Sequence, residues 1–198
     1  MKRRIGIAGA IWCALGAWLV AQGGGRQPSP AGSSATQIGG TAGTWIEITY
    51  SRPIKRSRDL WGSGADYGKT LNAGAPVWRA GANLTTKLTT EVPLVINGKA
   101  LAAGAYSLLI DLKPNAWTLI VTTQTAQTRY DADNKVDLYG SFNYRPDKDV
   151  VRAPMTLSTL PLSVDQLTWN FADVTDTGGK LAIMWDKALA TASFTVGK

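Results

Sequence analysis

The sequence predicts an all-β domain: a β-sandwich of about eight or nine mostly antiparallel strands, with an open barrel as the alternative, behind an N-terminal signal helix and a flexible linker. Three observations carry that expectation. Beyond residue 43, apolar side chains recur at every second position in one short segment after another, the rhythm of a strand with one buried face. Turn-forming residues separate those segments. No helical period is sustained after residue 23.

The chain begins with basic residues, Lys2, Arg3 and Arg4, followed by an apolar run from Ile5 to Val20. This is the order of a secretory signal, and the run falls short of the roughly 20 residues that span a bilayer comfortably. Ala21-Gln22-Gly23 places small residues where a signal peptidase reads, so residues 1–23 are assigned to a signal peptide, with an uncleaved anchor as the alternative. The expected location is periplasmic or extracellular, with a membrane touched only through this segment if it is retained. Cys13 follows the bulky Trp12, a poor setting for lipidation, and Arg3-Arg4 lacks the surroundings of a twin-arginine signal. Residues 24–43 are small, polar and glycine-rich, which predicts a disordered linker, and residues 44–198 are left for the sandwich.

Within that domain, Ile46, Ile48 and Tyr50 alternate with Glu47 and Thr49. Ser51–Pro76 is irregular, with four glycines and two prolines, and a short helical turn is expected near Asp59–Ser63. Leu84–Ile96 is rich in Thr and Val and runs into Asn97-Gly98, a strong signal for a type I′ hairpin. Tyr106, Leu108, Ile110 and Leu112 alternate up to Lys113-Pro114-Asn115, and Trp117, Leu119 and Val121 alternate after it. Val150–Leu157, Leu167–Phe171, Leu181–Trp185 and Ala192–Val196 read as further strands, with a turn at Thr177-Gly178-Gly179.

Composition narrows the chemistry. The 198 residues include no histidine, so a Ser-His-Asp triad, imidazole acid–base catalysis and the usual zinc sites are excluded. The single cysteine lies in the leader, and a mature domain would have neither disulfides nor a thiol nucleophile. The net charge of +7 falls to +4 without the three basic residues of the leader, leaving 18 cations against 14 anions. That excess is too diffuse for a nucleic-acid partner, but it favours anionic small molecules or glycans. No cofactor and no metal site are expected: the acids Asp131, Asp133 and Asp137 suggest a calcium loop, yet Lys135, Val136 and Phe142 stand where an EF-hand needs a ligand, a glycine and a bidentate acid.

Two strings ask for more than an architectural role: Tyr50-Ser51-Arg52-Pro53 and Trp78-Arg79-Ala80-Gly81-Ala82-Asn83. With Tyr67-Gly68-Lys69, Leu101–Leu108 and Lys148–Arg152, they resemble the bacterial family called Domain of Unknown Function 2911, the WRxGAN string being the most specific part. The resemblance covers about residues 45–196 and implies an exported β-rich protein, with no activity and no catalytic residues to carry over. The chain departs from that pattern at Thr70–Pro76, an apparent insertion, and at Leu84, where an acid is usual.

Physically, Gly81 between Arg79 and Asn83 predicts a tight turn that brings a guanidinium and an amide together over an apolar floor, Trp78. Such a group suits a carboxylate, a sulfate or a sugar, and Arg52 is added as a neighbouring ligand-binding residue. The alternative pairs Arg79 with a carboxylate such as Asp149 and uses Asn83 to tie down a loop. Arg52, Lys55, Arg56 and Arg58 form a basic cluster near Trp61 that is read as a solvated loop, with contact to an anionic glycan or lipid head group as the alternative. The expected function is non-enzymatic binding of a polar or anionic ligand, a glycan or a protein. A His-free glycan hydrolase or lyase drawing on Asp111, Asp149, Tyr50 and Lys69 is the enzymatic alternative.

Overall fold

Ten strands form two antiparallel sheets in the computed structural model, which describes residues 29–197. In chain order they are β1 (Ala31–Ile38), β2 (Thr44–Ser51), β3 (Thr86–Thr90), β4 (Leu94–Ile96), β5 (Lys99–Leu101), β6 (Gly104–Asp111), β7 (Thr118–Thr122), β8 (Asp149–Pro154), β9 (Thr156–Thr175) and β10 (Gly178–Val196). The larger sheet has the order β1-β2-β3-β6-β7-β8 and the smaller β5-β4-β10-β9. Both sheets keep open edges, so the expected sandwich is found and the barrel is not.

The core lies where the inner faces meet. Ile46, Ile48 and Tyr50 of β2, Leu88 of β3, Leu108 and Ile110 of β6, and Leu119 and Val121 of β7 come from the larger sheet. They pack against Leu94, Ile96, Leu167, Trp169, Leu181, Ile183, Trp185 and Phe194 from the smaller one. Both hairpins expected in mid-chain form: Asn97 and Gly98 take positive φ values of 49° and 70° between β4 and β5, and Leu108 pairs with Val121 across β6 and β7. The larger sheet is also covered on part of its outer face. There Leu109 and Ile120 join Val77 and Leu138, and the chain between β7 and β8 folds back over them.

Several expectations need correction. Residues 31–38, assigned to a disordered linker, are β1, which pairs with β2 from Ala31↔Ser51 to Ile38↔Thr44. Residues 31–37 are small or polar and show no apolar alternation, but the backbone gains a full ladder and Ile38 is buried at 4% exposure. The expected signal peptide, residues 1–23, lies outside the described residues. Leu84–Ile96 is two strands rather than one, because Glu91-Val92-Pro93 carries the chain from β3 in one sheet to β4 in the other. The last two expected strands are a single β10, paired with β9 and then with β4.

The irregular segment after β2 crosses from the larger sheet to the smaller. Leu167 donates its N–H to the Pro53 carbonyl at 2.9 Å, and Lys55 donates to the Asp165 carbonyl at 2.6 Å. The helical turns fall later than expected, at Gly64–Asp66 and in α1 (Lys69–Asn72), and the chain then returns to the larger sheet at Trp78. Among the described residues, no helix is long and apolar enough to cross a membrane.

Candidate functional site

Trp78 enters the space that β3 vacates beside β6, exchanging two backbone hydrogen bonds of 2.8 Å with Ile110. Its indole is 1% exposed and stacks on Trp185, with centroids 6.1 Å apart and planes 11° from parallel. Trp61 stands edge-on to both, at 6.1 Å from Trp78 and 6.3 Å from Trp185. The expected apolar floor is therefore part of a tryptophan cluster that belongs to the core.

The turn after Trp78 is built differently from the expectation. Ala80 and Asn83, not Gly81, take left-handed φ values, 51° and 56°. Ala80 is held there by its carbonyl, which accepts hydrogen bonds from Thr86 Oγ1 at 3.1 Å and Trp169 Nε1 at 2.9 Å. A left-handed alanine is unfavourable by about 1 kcal/mol, and these two contacts to different strands over-determine it. Gly81 supplies room: a Cβ on it would lie 2.9 Å from Thr86 Oγ1 and 3.2 Å from the Ser51 carbonyl. Asn83 is exposed, and its amide donates to the Ser29 carbonyl at 3.1 Å.

Arg79 is thereby aimed back along its own turn, and its Nη1 donates to the Asn83 backbone carbonyl at 2.7 Å. The guanidinium thus bonds the Asn83 main chain, while the Asn83 amide turns to Ser29. Gly140 lies flat beneath the guanidinium: a Cβ there would come within 2.5 Å of Arg79 Cζ. Thr85 fixes Gly140 by donating its hydroxyl to the Gly140 carbonyl at 2.8 Å. Among the described residues no carboxylate pairs with Arg79, because Asp149 is taken by Arg152 at 2.9 Å and by the Tyr144 hydroxyl at 2.5 Å. Burial disfavours the charged form of Arg79 and draws its pKa below the ordinary value, with nearby Tyr139 acting in the opposite direction.

Arg79, Asn83 and Trp78 line a cleft of about 520 Å³ whose other walls include Ile54, Leu71 and Trp185. Arg56 and Arg58, read from sequence as a solvated loop, line it too. Arg58 Cζ sits 5.5 Å from the centroid of the Trp185 ring while Nη2 and Nε donate to the Ile54 and Lys55 carbonyls at 2.6 and 3.1 Å. Arg56 is exposed, at a left-handed φ of 55°. Among the described residues, no acidic side chain lines the cleft. Arg52 does not line it; its side chain crosses β1 over Gly32, where a Cβ would meet Cδ at 2.3 Å. The signal for Arg56 and Arg58 was present in the charge run, but sequence spacing could not show that the run folds back over Trp78.

The groups named for an enzymatic reading do not meet in this cleft. Asp111 and Asp149 converge on Arg152, at 3.2 and 2.9 Å, and act as its counter-charges. Burial first, and then the hydrogen bond to Asp149 and its charge, raise the pKa of Tyr144 well above the ordinary phenol, with Arg152 acting in the opposite direction. Tyr50 is in the core, and Lys69 pairs with Asp66 on the surface at 2.9 Å. Asp131 caps its own loop by accepting from the Asp133 N–H, and among the described residues no three His, Cys, Asp or Glu side chains gather as metal ligands.

Comparison with known proteins places these residues in a family context. No curated protein and no solved structure matches the chain. A family model described as a protein of unknown function matches residues 29–194, a span that begins just before β1 and ends within β10. The match includes the strings at Arg52 and at Trp78–Asn83, and the chain belongs to that family, DUF2911.

Proposed function

We propose that this chain is an exported, non-enzymatic domain that binds a small anionic ligand in the Arg79 cleft. The observation that carries the reading is a half-buried guanidinium opening on a cleft that holds two further arginines, with no carboxylate partner and no acidic lining residue among the described residues. A partly buried charge is expensive unless something compensates it, and among the described residues Arg79 has the Asn83 carbonyl as hydrogen-bond acceptor, the flat face of Gly140 beneath it and Tyr139 nearby. A carboxylate, sulfate or phosphate, free or carried by a glycan, would complete the site. Arg79 would bind it through its planar fork, with Arg56 adding long-range attraction.

The test is thermal unfolding of the chain in sulfate, phosphate and simple carboxylates against chloride at equal ionic strength. An anion at one hundred times its dissociation constant stabilises the native state by about 2.7 kcal/mol, which raises the melting temperature by several degrees. The expected result is such a shift with at least one anion class and its loss in Arg79→Ala. Equal melting temperatures in all the salts would overturn the reading.

A further inference from the structure

On a different face of the same tryptophan cluster lies a second cleft, of about 500 Å³, with a different chemical character. Trp61 is half-buried there and packs against Trp117 at a centroid distance of 4.7 Å, so an aromatic wall borders open space. Tyr67 accepts a hydrogen bond from Trp117 Nε1 at 2.8 Å, which orients the phenol and leaves its own O–H proton undelivered among the described residues. Asn115 stands at the rim with a left-handed φ of 58° and an amide that no described residue engages.

The acceptor in the lining is Asp186. It occupies the irregular step in the β9–β10 ladder, where the register shifts on both sides, and its φ is 52°. Bulges of this kind re-aim side chains at the rims of sheets. Lys55 Nζ at 2.7 Å and Ser163 Oγ at 2.9 Å both bond to Oδ1, and Oδ2 has no partner among the described residues. The hydrogen bond from Lys55 holds the carboxyl below its ordinary pKa, so the group is an ionised acceptor at neutral pH.

We propose that this cleft binds a neutral sugar ring, stacked against Trp61 and hydrogen-bonded by the Tyr67 hydroxyl, the Asn115 amide and Asp186 Oδ2. A pyranose presents an apolar C–H face to an aromatic ring and a rim of hydroxyls that each donate and accept, and the cleft offers that combination of wall, donor, amide and acceptor. Lys55 already neutralises Asp186 through Oδ1, and Oδ2 presents an acceptor that suits a ligand hydroxyl better than a second anion; among the described residues Lys187 is the cation in the lining. The contrast with the acid-free arginine cleft makes the two sites chemically separate, and this inference does not rest on the anion reading.

The probe is a panel of neutral oligosaccharides of glucose, galactose and N-acetylglucosamine, titrated into the full chain while ligand protons are observed by saturation-transfer NMR and tryptophan emission is recorded. The expected result is saturable binding of at least one sugar, with transfer strongest at ring C–H protons. Asn115→Gly keeps the left-handed turn and removes the amide, and Tyr67→Phe removes the donor. Each is expected to weaken binding about tenfold, the loss of one well-placed hydrogen bond, while Arg79→Ala leaves sugar binding unchanged. Absence of transfer to every sugar in the folded wild-type protein, or unchanged affinity in both Asn115→Gly and Tyr67→Phe, overturns the proposal.

Discussion

Gly140 is the residue on which the arginine site depends most sharply. Its φ of 64° is unfavourable for any side chain, and the space above it is filled by Arg79. Gly140→Ala is therefore expected to do two things at once: lower stability by about 1–2 kcal/mol through the left-handed backbone, and push the guanidinium off its platform so that anion affinity falls. Urea unfolding and an anion titration of the same variant check the pair, and wild-type affinity in Gly140→Ala would show that Arg79 does not act from its present position. Arg79 and Asn83 were legible as neighbours because they sit four residues apart around a small-residue turn. Gly140 was not, since its contact with Arg79 spans sixty-one positions and comes from a loop without periodicity. The same limit hid Arg56 and Arg58: a run of charges reads as solvated until the fold shows what it leans on.

At the scale of elements, the strands that sequence revealed are those whose side chains decide their fate. The β6–β7 hairpin alternates and has a turn with Asn115 at positive φ, and its inward residues Leu108, Ile110, Leu119 and Val121 are fully buried. β1 was missed because its side chains contribute little; backbone pairing with β2 holds it, a reward that composition does not display. Its importance can be measured. A chain starting at Thr44 loses β1 and the burial of Ile38, which alone contributes about 1.5–3 kcal/mol, so it is expected to unfold at clearly lower denaturant than a chain starting at Ser29. Coincident unfolding curves would mean that β1 adds nothing to the domain. The bulge at Asp186 explains why β10 read as two strands: the ladder shifts register there, and a regular alternation cannot pass through it.

For the molecule as a whole, the arrangement of charge follows from what each part of the fold must neutralise. Asp111 and Asp149 answer Arg152, Asp186 answers Lys55, and Asp173 answers Lys180, while Arg79 is left facing a cleft. Fold class was readable from sequence because two sheets with apolar inner faces can bury them only against each other, and the alternation marks those faces. Of the candidate cleft, Trp78, Arg79 and Asn83 were legible as one string, but only the tertiary path of Ile54–Ala82 brings three arginines to it, with no acid among the described residues of its lining. The most direct measurement is the ¹⁵N side-chain spectrum of the arginines during titration with sulfate and with a carboxylate at constant ionic strength. The account predicts that the Arg79 Nε–Hε resonance, assigned by its disappearance in Arg79→Lys, moves and saturates with at least one of them. A resonance that stays in place through both titrations, in protein that remains folded, would contradict it.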